Sequence, residues 1–223
     1  MAKAIPVYLE LGDKKVFACS IDFPGWCRSA RTEEAALEAL AGYAARYAEV
    51  AELAKVAFPA PAKAGERFEV VERVHGGGAT DFGVPHEVTR ADAEPLGARQ
   101  AARQVELVKA AWALLDRVAG AAPAALRKGP RGGGRDRDKM LAHVLGAEAA
   151  YARKLGIKHP EPELGDAGAV KALRDDLVEA LRGASDGTPP VPKGWPPRYA
   201  ARRIAWHVLD HAWEMQDRSD PAG

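Results

Sequence analysis

Apolar and polar residues alternate over two short segments near the start of the chain, residues 5–11 and 15–21. A period of two residues is typical of a β-strand that buries one face. Gly12 and Asp13 separate the two segments, and such a pair favours a hairpin turn. The apolar positions of the alternation are Ile5, Val7, Leu9, Leu11, Val16 and Ala18. The pattern predicts two antiparallel strands.

The period changes to that of a helix after the turn Asp22-Phe-Pro-Gly25. Thr32, followed by two glutamates and an apolar run, is typical of a helix N-terminus. We therefore predict one helix from residue 32 to about 57, followed by a third strand at 67–74. The apolar positions of this helix are Leu37, Leu40, Tyr43, Ala44 and Tyr47.

Four longer segments with apolar residues three and four positions apart follow in the second half of the chain. Four amphipathic helices of similar length predict a four-helix bundle. Their connections of ten to fifteen residues leave room for one crossover. The predicted helices are about 96–120, 135–155, 167–183 and 197–218.

The segment between these two halves contains His75-Gly-Gly-Gly78, Pro85 and Pro95, which disfavour regular structure. The glycine run lacks the Lys-Ser/Thr of a phosphate-binding loop. We interpret residues 81–95 as a linker, between an α+β module at 1–80 and an all-α bundle at 96–218. His75 and His86 are alternative candidates for ligands at an interdomain site.

Charge supports a division into two parts. Residues 1–94 contain 11 Lys and Arg against 15 Asp and Glu, whereas residues 95–223 contain 21 against 16. No apolar stretch is long enough to cross a bilayer, so we expect a cytoplasmic protein without a membrane partner. Only Cys19 and Cys27 are present. In that compartment we expect both to be reduced, with Cys19 on a strand and Cys27 in a turn.

Two histidines, His207 and His211, lie one helical turn apart on the apolar face of the last predicted helix. Side chains at positions i and i+4 lie one above the other, so both imidazoles can reach one point. Two neutral imidazoles at a buried point suit a transition metal. The alternative is a pair of core histidines whose ring nitrogens are satisfied by hydrogen bonds. A metal site needs a further ligand from another helix.

The second predicted helix carries His143 at the edge of its apolar arc and Glu148 within the arc. A carboxylate among apolar residues is costly unless it is paired. Glu148 could orient a metal-binding imidazole. Alternatively, it pairs with an arginine of a neighbouring helix, such as Arg103 or Arg203.

Acidic residues also flank the histidine pair. Glu214 lies three residues beyond His211 and is a candidate for a fourth ligand or a general base, or is a solvated charge. We expect Asp210 to form a salt bridge between packed helices rather than bind a metal.

The segment 127–139 is rich in basic residues and glycine, which could attract an anionic cosubstrate or nucleic acid. Asp136 and Asp138 dilute its charge, and no aromatic residue is present for base stacking. We favour a solvated loop, so nucleic acid is not an expected partner.

Taken together, these positions resemble the DinB/YfiT-like metalloenzyme superfamily. In those four-helix bundles, one histidine of the second helix and an H-x-x-x-H pair of the last helix bind a divalent metal. The corresponding residues here are His143, His207 and His211. The resemblance covers roughly 96–218 and implies Zn²⁺, Ni²⁺, Mn²⁺ or Fe²⁺ as cofactor. It also implies a homodimer, and for some members a low-molecular-weight thiol as cosubstrate.

The N-terminal half is similar to the HicB-like antitoxin fold. The residues that carry the likeness are the strand pair, Asp22-Phe-Pro-Gly-Trp26 and the helix start Thr32-Glu-Glu-Ala-Ala-Leu37. The likeness covers about sixty residues, and the DNA-binding segment usual in HicB antitoxins is missing. The resemblance therefore implies a module for dimerisation or ligand sensing.

Two functions follow from these resemblances. The first is a divalent-metal-dependent enzyme, a thiol-dependent transferase or a hydrolase acting on a small molecule. The second is a non-enzymatic, regulatory or antitoxin-like protein that acts through the HicB-like module.

Overall fold

The computed structural model describes residues 4–129 and 134–219, so part of the predicted basic loop lies outside the described residues. The fold is mixed α+β, with a four-stranded sheet near the N-terminus and helices after it. The strands are β1 (Ile5–Leu11), β2 (Val16–Ser20), β3 (Cys27–Ala30) and β4 (Phe68–His75). Their order is β3-β2-β1-β4; β2 pairs antiparallel with β1 and β3, and β4 pairs parallel with β1.

The helices follow the predicted periodicity closely in the second half of the chain. The helices are α1 (Glu33–Gly42), α2 (Ala44–Leu53), α3 (Gly78–Phe82), α4 (Ala98–Ala121), α5 (Arg137–Lys154), α6 (Ala167–Arg182) and α7 (Pro197–Ser219). The last four confirm the predicted long helices to within about two residues. Strands β1, β2 and β4 are confirmed as well.

The prediction of a single helix over residues 32–57 is wrong, because the helix is interrupted at Tyr43 between α1 and α2. Gly42 ends α1, and glycine is a poor helix former. The Tyr43 ring then packs edge-on against Trp213, at 5.3 Å between ring centroids, and under the guanidinium of Arg28. Contacts with distant residues thus override a continuous helical pattern.

Cys19 lies on a strand, as predicted, but the prediction that both cysteines are reduced and that Cys27 lies in a turn is wrong. Cys27 begins strand β3 directly opposite Cys19 of β2, and the two residues form a disulfide. The sequence pattern around Cys27 is too short and too irregular to indicate a strand, so β3 was not predicted.

Both faces of the sheet are buried along β1 and β2. One face packs on α1 and α2 through a cluster of aromatic rings that includes Trp26 and Tyr47. The opposite face carries Tyr8, Phe17 and Cys19, and Trp206 of α7 packs against it. Helix α7 therefore contacts the sheet as well as the helices of the bundle.

A close approach at Gly25 fixes this contact. Gly25 adopts a φ of +87°, which side-chain-bearing residues rarely adopt. A Cβ atom at this position would lie 2.7 Å from Leu209 Cδ1 and 2.9 Å from the carbonyl carbon of Ala205. Only glycine lets the turn before β3 lie this close to α7.

Helices α4 and α5 each pack against both α6 and α7, so the four long helices enclose a common core. Leu107, Leu114, Met140, Leu173 and Leu177 are fully buried within it. The apolar cluster continues from this core to the α1–α2 side of the sheet. Within the described residues, no helix is long and apolar enough to span a membrane.

Candidate metal centre

Helices α5 and α7 bring the three predicted histidines together. His207 and His211 lie on α7, which is buried along most of its length because it is covered by the sheet and by three helices. Both are buried, at 7% and 8% exposed. His143 projects from α5 and is only partly buried. The i, i+4 spacing therefore does place both α7 imidazoles towards one point, as predicted.

The three rings face one another at short range. Nε2 of His207 lies 3.2 Å from Nε2 of His143. The ring centroids are 4.7 Å apart for His207 and His211, and 5.1 Å apart for His143 and His211. Each histidine offers a ring nitrogen within 4.8 Å of those of the other two, so the group could hold a metal ion.

The surroundings keep two of these imidazoles neutral. Burial lowers the pKa of His207 to about 2, and the charges of Arg203 and Arg135 act in the same direction. Partial burial also lowers the pKa of His143, again with a contribution from Arg135. A neutral imidazole has a lone pair available for a metal, whereas an imidazolium does not.

Glu214 sets the orientation of the third imidazole. Its Oε2 lies 3.1 Å from Nδ1 of His211, and its Oε1 accepts a hydrogen bond of 3.0 Å from Arg218. The hydrogen bond with His211 lowers the pKa of Glu214, so the carboxylate is ionised and His211 Nδ1 donates. In the neutral imidazole with its proton on Nδ1, Nε2 of His211 is the nitrogen that can bind a cation.

Glu214 therefore contacts the candidate centre through the outer side of His211. It is not among the grouped ligand atoms of the described residues, which come from histidines alone. This position suits a carboxylate that orients a ligand better than it suits a fourth ligand. The predicted role of Glu214 as general base is not addressed by the geometry.

Glu148 is separate from the histidines, and the two arginines considered for it in the sequence are not its partners. Its Oε1 accepts a hydrogen bond of 2.7 Å from Trp112 Nε1, and its Oε2 accepts one from Arg174. Arg103 instead donates to the carbonyl of Asp22. Glu148 thus joins α4, α5 and α6 inside the bundle.

The remaining sequence candidates have other contacts. His86 lies 3.2 Å from the buried carboxylate of Glu10, and His75 is exposed at the end of β4. Neither belongs to a group of potential ligands among the described residues. Asp210 forms a salt bridge at 2.9 Å, as predicted, but its partner Arg28 lies on strand β3 and not on a neighbouring helix.

Arg203 lies beside the candidate centre, and the sequence did not predict this position. The guanidinium carbon of Arg203 lies 4.5 Å from the Trp206 ring centroid and 5.3 Å from that of Tyr151. The Tyr151 ring is in turn 5.8 Å from the ring of His207. The position of Arg203, four residues before His207 on the same helix face, is the sequence signal that could have indicated it.

The donor set fits a divalent transition metal. Two nitrogens bound to one zinc ion at about 2.0–2.1 Å in tetrahedral geometry lie about 3.3–3.4 Å apart. The separation of 3.2 Å between His143 and His207 is close to that value. Three imidazoles without a thiolate suit Zn²⁺, Ni²⁺, Mn²⁺ or Fe²⁺ and leave a coordination position for water or substrate.

Comparisons of the chain with protein-family models, with curated proteins and with solved structures find no match. The geometry of the site therefore has to carry any functional conclusion.

Proposed function

We propose that this chain is a divalent-metal-dependent enzyme of the DinB/YfiT-like kind. In this proposal His143, His207 and His211 hold the ion, and the reaction is transfer to or from a small thiol, or hydrolysis. The observation that carries it is the convergence of three buried or partly buried imidazoles from two helices.

A shared cation accounts for this arrangement better than hydrogen bonds do. An N–H···N hydrogen bond between His143 and His207 satisfies only that pair of nitrogens. It leaves Nε2 of His211 without a role, although Glu214 holds that ring in place. A single cation would contact all three rings. Buried polar groups that lack a protein partner commonly indicate a site of function.

When bound, a divalent ion supplies a Lewis acid that lowers the pKa of a coordinated water or thiol. The chain contributes the orientation and the surroundings. Glu214 holds the proton on Nδ1 of His211 and so keeps Nε2 available. Tyr151 and Trp206 place aromatic rings beside His207 and limit the access of water to that side.

Metal titration of the full chain tests the proposal. The metal-free protein should bind about one equivalent of Zn²⁺ or Co²⁺. The His207→Ala variant should lose at least about 100-fold in affinity, more than the 10- to 100-fold that outer partners of metal ligands contribute. Binding can be followed by competition with a chromophoric chelator and by metal analysis after dialysis.

His75→Ala is the matched control, because His75 is exposed and distant from the three rings. It should bind metal like the wild type. A wild-type protein that takes up no metal, or a His207→Ala variant that retains a full equivalent, would contradict the site. Metal-loaded protein that is inert towards adducts of bacillithiol, mycothiol and glutathione would contradict the thiol-transfer reaction alone.

The HicB-like character of the N-terminal unit forms a second part of the proposal. It is supported by the β1–β2 hairpin, the turn at Asp22–Trp26 and a helix capped by Thr32, whose side chain accepts from the Ala35 N–H. In the proposed enzyme this unit supports α7 from the sheet side. A homodimer remains part of the proposal and is tested by the mass of the protein in solution.

A further inference from the structure

Arg203 carries a positive charge that no carboxylate of the described residues neutralises. Its guanidinium contacts the rings of Tyr151 and Trp206, and its Nη1 is buried without a hydrogen-bond partner. The charge is close enough to His207 to contribute to the lowering of the pKa of that imidazole. A buried guanidinium N–H is costly unless an acceptor completes its hydrogen bond, and a ligand could supply that acceptor.

The other three arginines of α7 each have at least one hydrogen-bond partner, whereas Arg203 has none among the residues that the structure describes. Arg202 pairs with Asp92, Arg218 pairs with Glu214, and Arg198 donates to the carbonyl oxygen of Pro95 at 3.5 Å. Nε of Arg198 and Nη1 of Arg218 are also buried without a partner, but each of these two side chains makes another hydrogen bond. The arginine left without one is the arginine that lies one helical turn from a candidate metal ligand.

The local charge points to the kind of ligand. Arg203 and Arg135 are the permanently charged side chains that lower the pKa of His207, and both disfavour further positive charge there. A divalent cation at the three rings would add to this excess. A negatively charged ligand would reduce it, and it would supply the acceptors that the guanidinium lacks.

We infer that Arg203 is a substrate-binding residue that receives a carboxylate of a molecule whose other end reaches the three-histidine centre. The guanidinium lies between aromatic rings, and a planar carboxylate can form two parallel hydrogen bonds with it in the same plane. This inference rests on the proposed function, because it places the reacting end of the ligand at the histidines. It adds a substrate class: small carboxylic acids that bear a metal-binding group.

A matched pair of probes tests the inference on the cobalt-loaded full chain. 3-Mercaptopropionate carries a thiol and a carboxylate, and 3-mercaptopropionamide differs only in that the carboxylate is an uncharged amide. Binding of either thiol is measured by its thiolate-to-cobalt absorption band. The acid should bind about 10-fold more tightly than the amide, as expected for a hydrogen bond to a charged group.

Arg203→Met keeps an apolar stem against the two rings and removes the charge. It should reduce the acid-to-amide preference to about one, while the cobalt content and the affinity for the amide stay unchanged. Arg182→Met, an exposed arginine of α6, should keep the preference of the wild type. An unchanged preference in Arg203→Met, or none in the wild type, would overturn the inference.

A second measurement is independent of metal binding and of the variant's stability. In the wild-type protein, the NMR signal of the Arg203 Nε–H group should shift on titration with propionate and not with propionamide. If the protein binds no cobalt, the proposed function fails and this titration alone decides the carboxylate site. If the protein binds cobalt but the signal responds equally to both compounds, only the carboxylate site fails.

Discussion

Two buried polar groups lie less than two turns apart on α7, and they differ in how completely their hydrogen bonds are formed. Arg202 donates to both carboxylate oxygens of Asp92 and to the hydroxyl of Tyr8, at 2.8 Å. Thr89 supplies Asp92 with two further donors. His207, by contrast, has its Nδ1 buried without a partner, and its Nε2 faces another imidazole.

The comparison separates a structural group from the group that we propose to be functional. The Arg202 group is complete within the chain, and it ties α7 to β1 and to the segment before α4. A cation among the three rings could bind Nε2 of His207, and an anion could pair with Arg203. Incomplete hydrogen bonding in the interior costs stability, so its presence beside three converging imidazoles supports the proposed binding site.

The largest expected effect is a loss of stability when the ion pair of Arg202 and Asp92 is broken. Arg202→Met leaves Asp92 as an uncompensated buried charge and should lower the free energy of unfolding by about 3–5 kcal/mol. Denaturant unfolding followed by circular dichroism measures this change. Arg203→Met is the neighbouring control and should lose less than about 1 kcal/mol, because it breaks no ion pair.

Adding Asp92→Leu to Arg202→Met should recover much of the lost stability, since the buried charge is removed. An equal loss of unfolding free energy in Arg202→Met and Arg203→Met would contradict the distinction between a paired and an unpaired arginine.

The next largest effect is a dependence of stability on pH in the metal-free protein. The pKa of His207 is lowered to about 2 in the folded chain, against about 6.5 for an unfolded histidine. Between these values the unfolded state binds more protons, so stability falls as the pH falls below about 6.5. One such group contributes about 1.4 kcal/mol per pH unit.

Denaturant unfolding of the metal-free protein between pH 7 and pH 5 measures this slope. His207→Leu should make it shallower by about that amount, and His75→Ala should leave it unchanged. A slope that is the same in His207→Leu and in the wild type would mean that His207 is not held neutral by burial.

The smallest expected effect concerns the carboxylate that orients His211. Glu214→Gln weakens the acceptor for Nδ1 of His211 and should lower the affinity for Co²⁺ or Zn²⁺ about 10-fold. Chelator competition measures the affinity, and Glu179→Gln on the exposed side of α6 is the control. Complete loss of metal binding would instead indicate that Glu214 is itself a ligand.

Most of the helical half and the three histidines could be predicted from local periodicity. The i, i+4 spacing of His207 and His211 is a property of one helix and is visible in the sequence. His143 could be added only because the helix order resembles a known kind of bundle. Its approach to 3.2 Å from His207 depends on how α5 and α7 pack, which a pattern along the chain does not contain.

The features that were missed depend on contacts between distant residues. Arg202 and Asp92 are 110 positions apart, and the pairing of Glu148 joins three helices. The disulfide depends on a four-residue strand that its own sequence barely indicates. The break at Tyr43 follows from packing against Trp213. None of these contacts has a signature within a short window of sequence.

The close approach at Gly25 has a consequence for the spacing of the three imidazoles. Because the turn rests directly on the backbone of Ala205, the position of α7 is set in part by residues outside the helical half. His207 and His211 follow α7, whereas His143 follows α5. The turn at Gly25 thus helps to set the distance between the α5 and α7 imidazoles, although it contributes no donor atom to the candidate site.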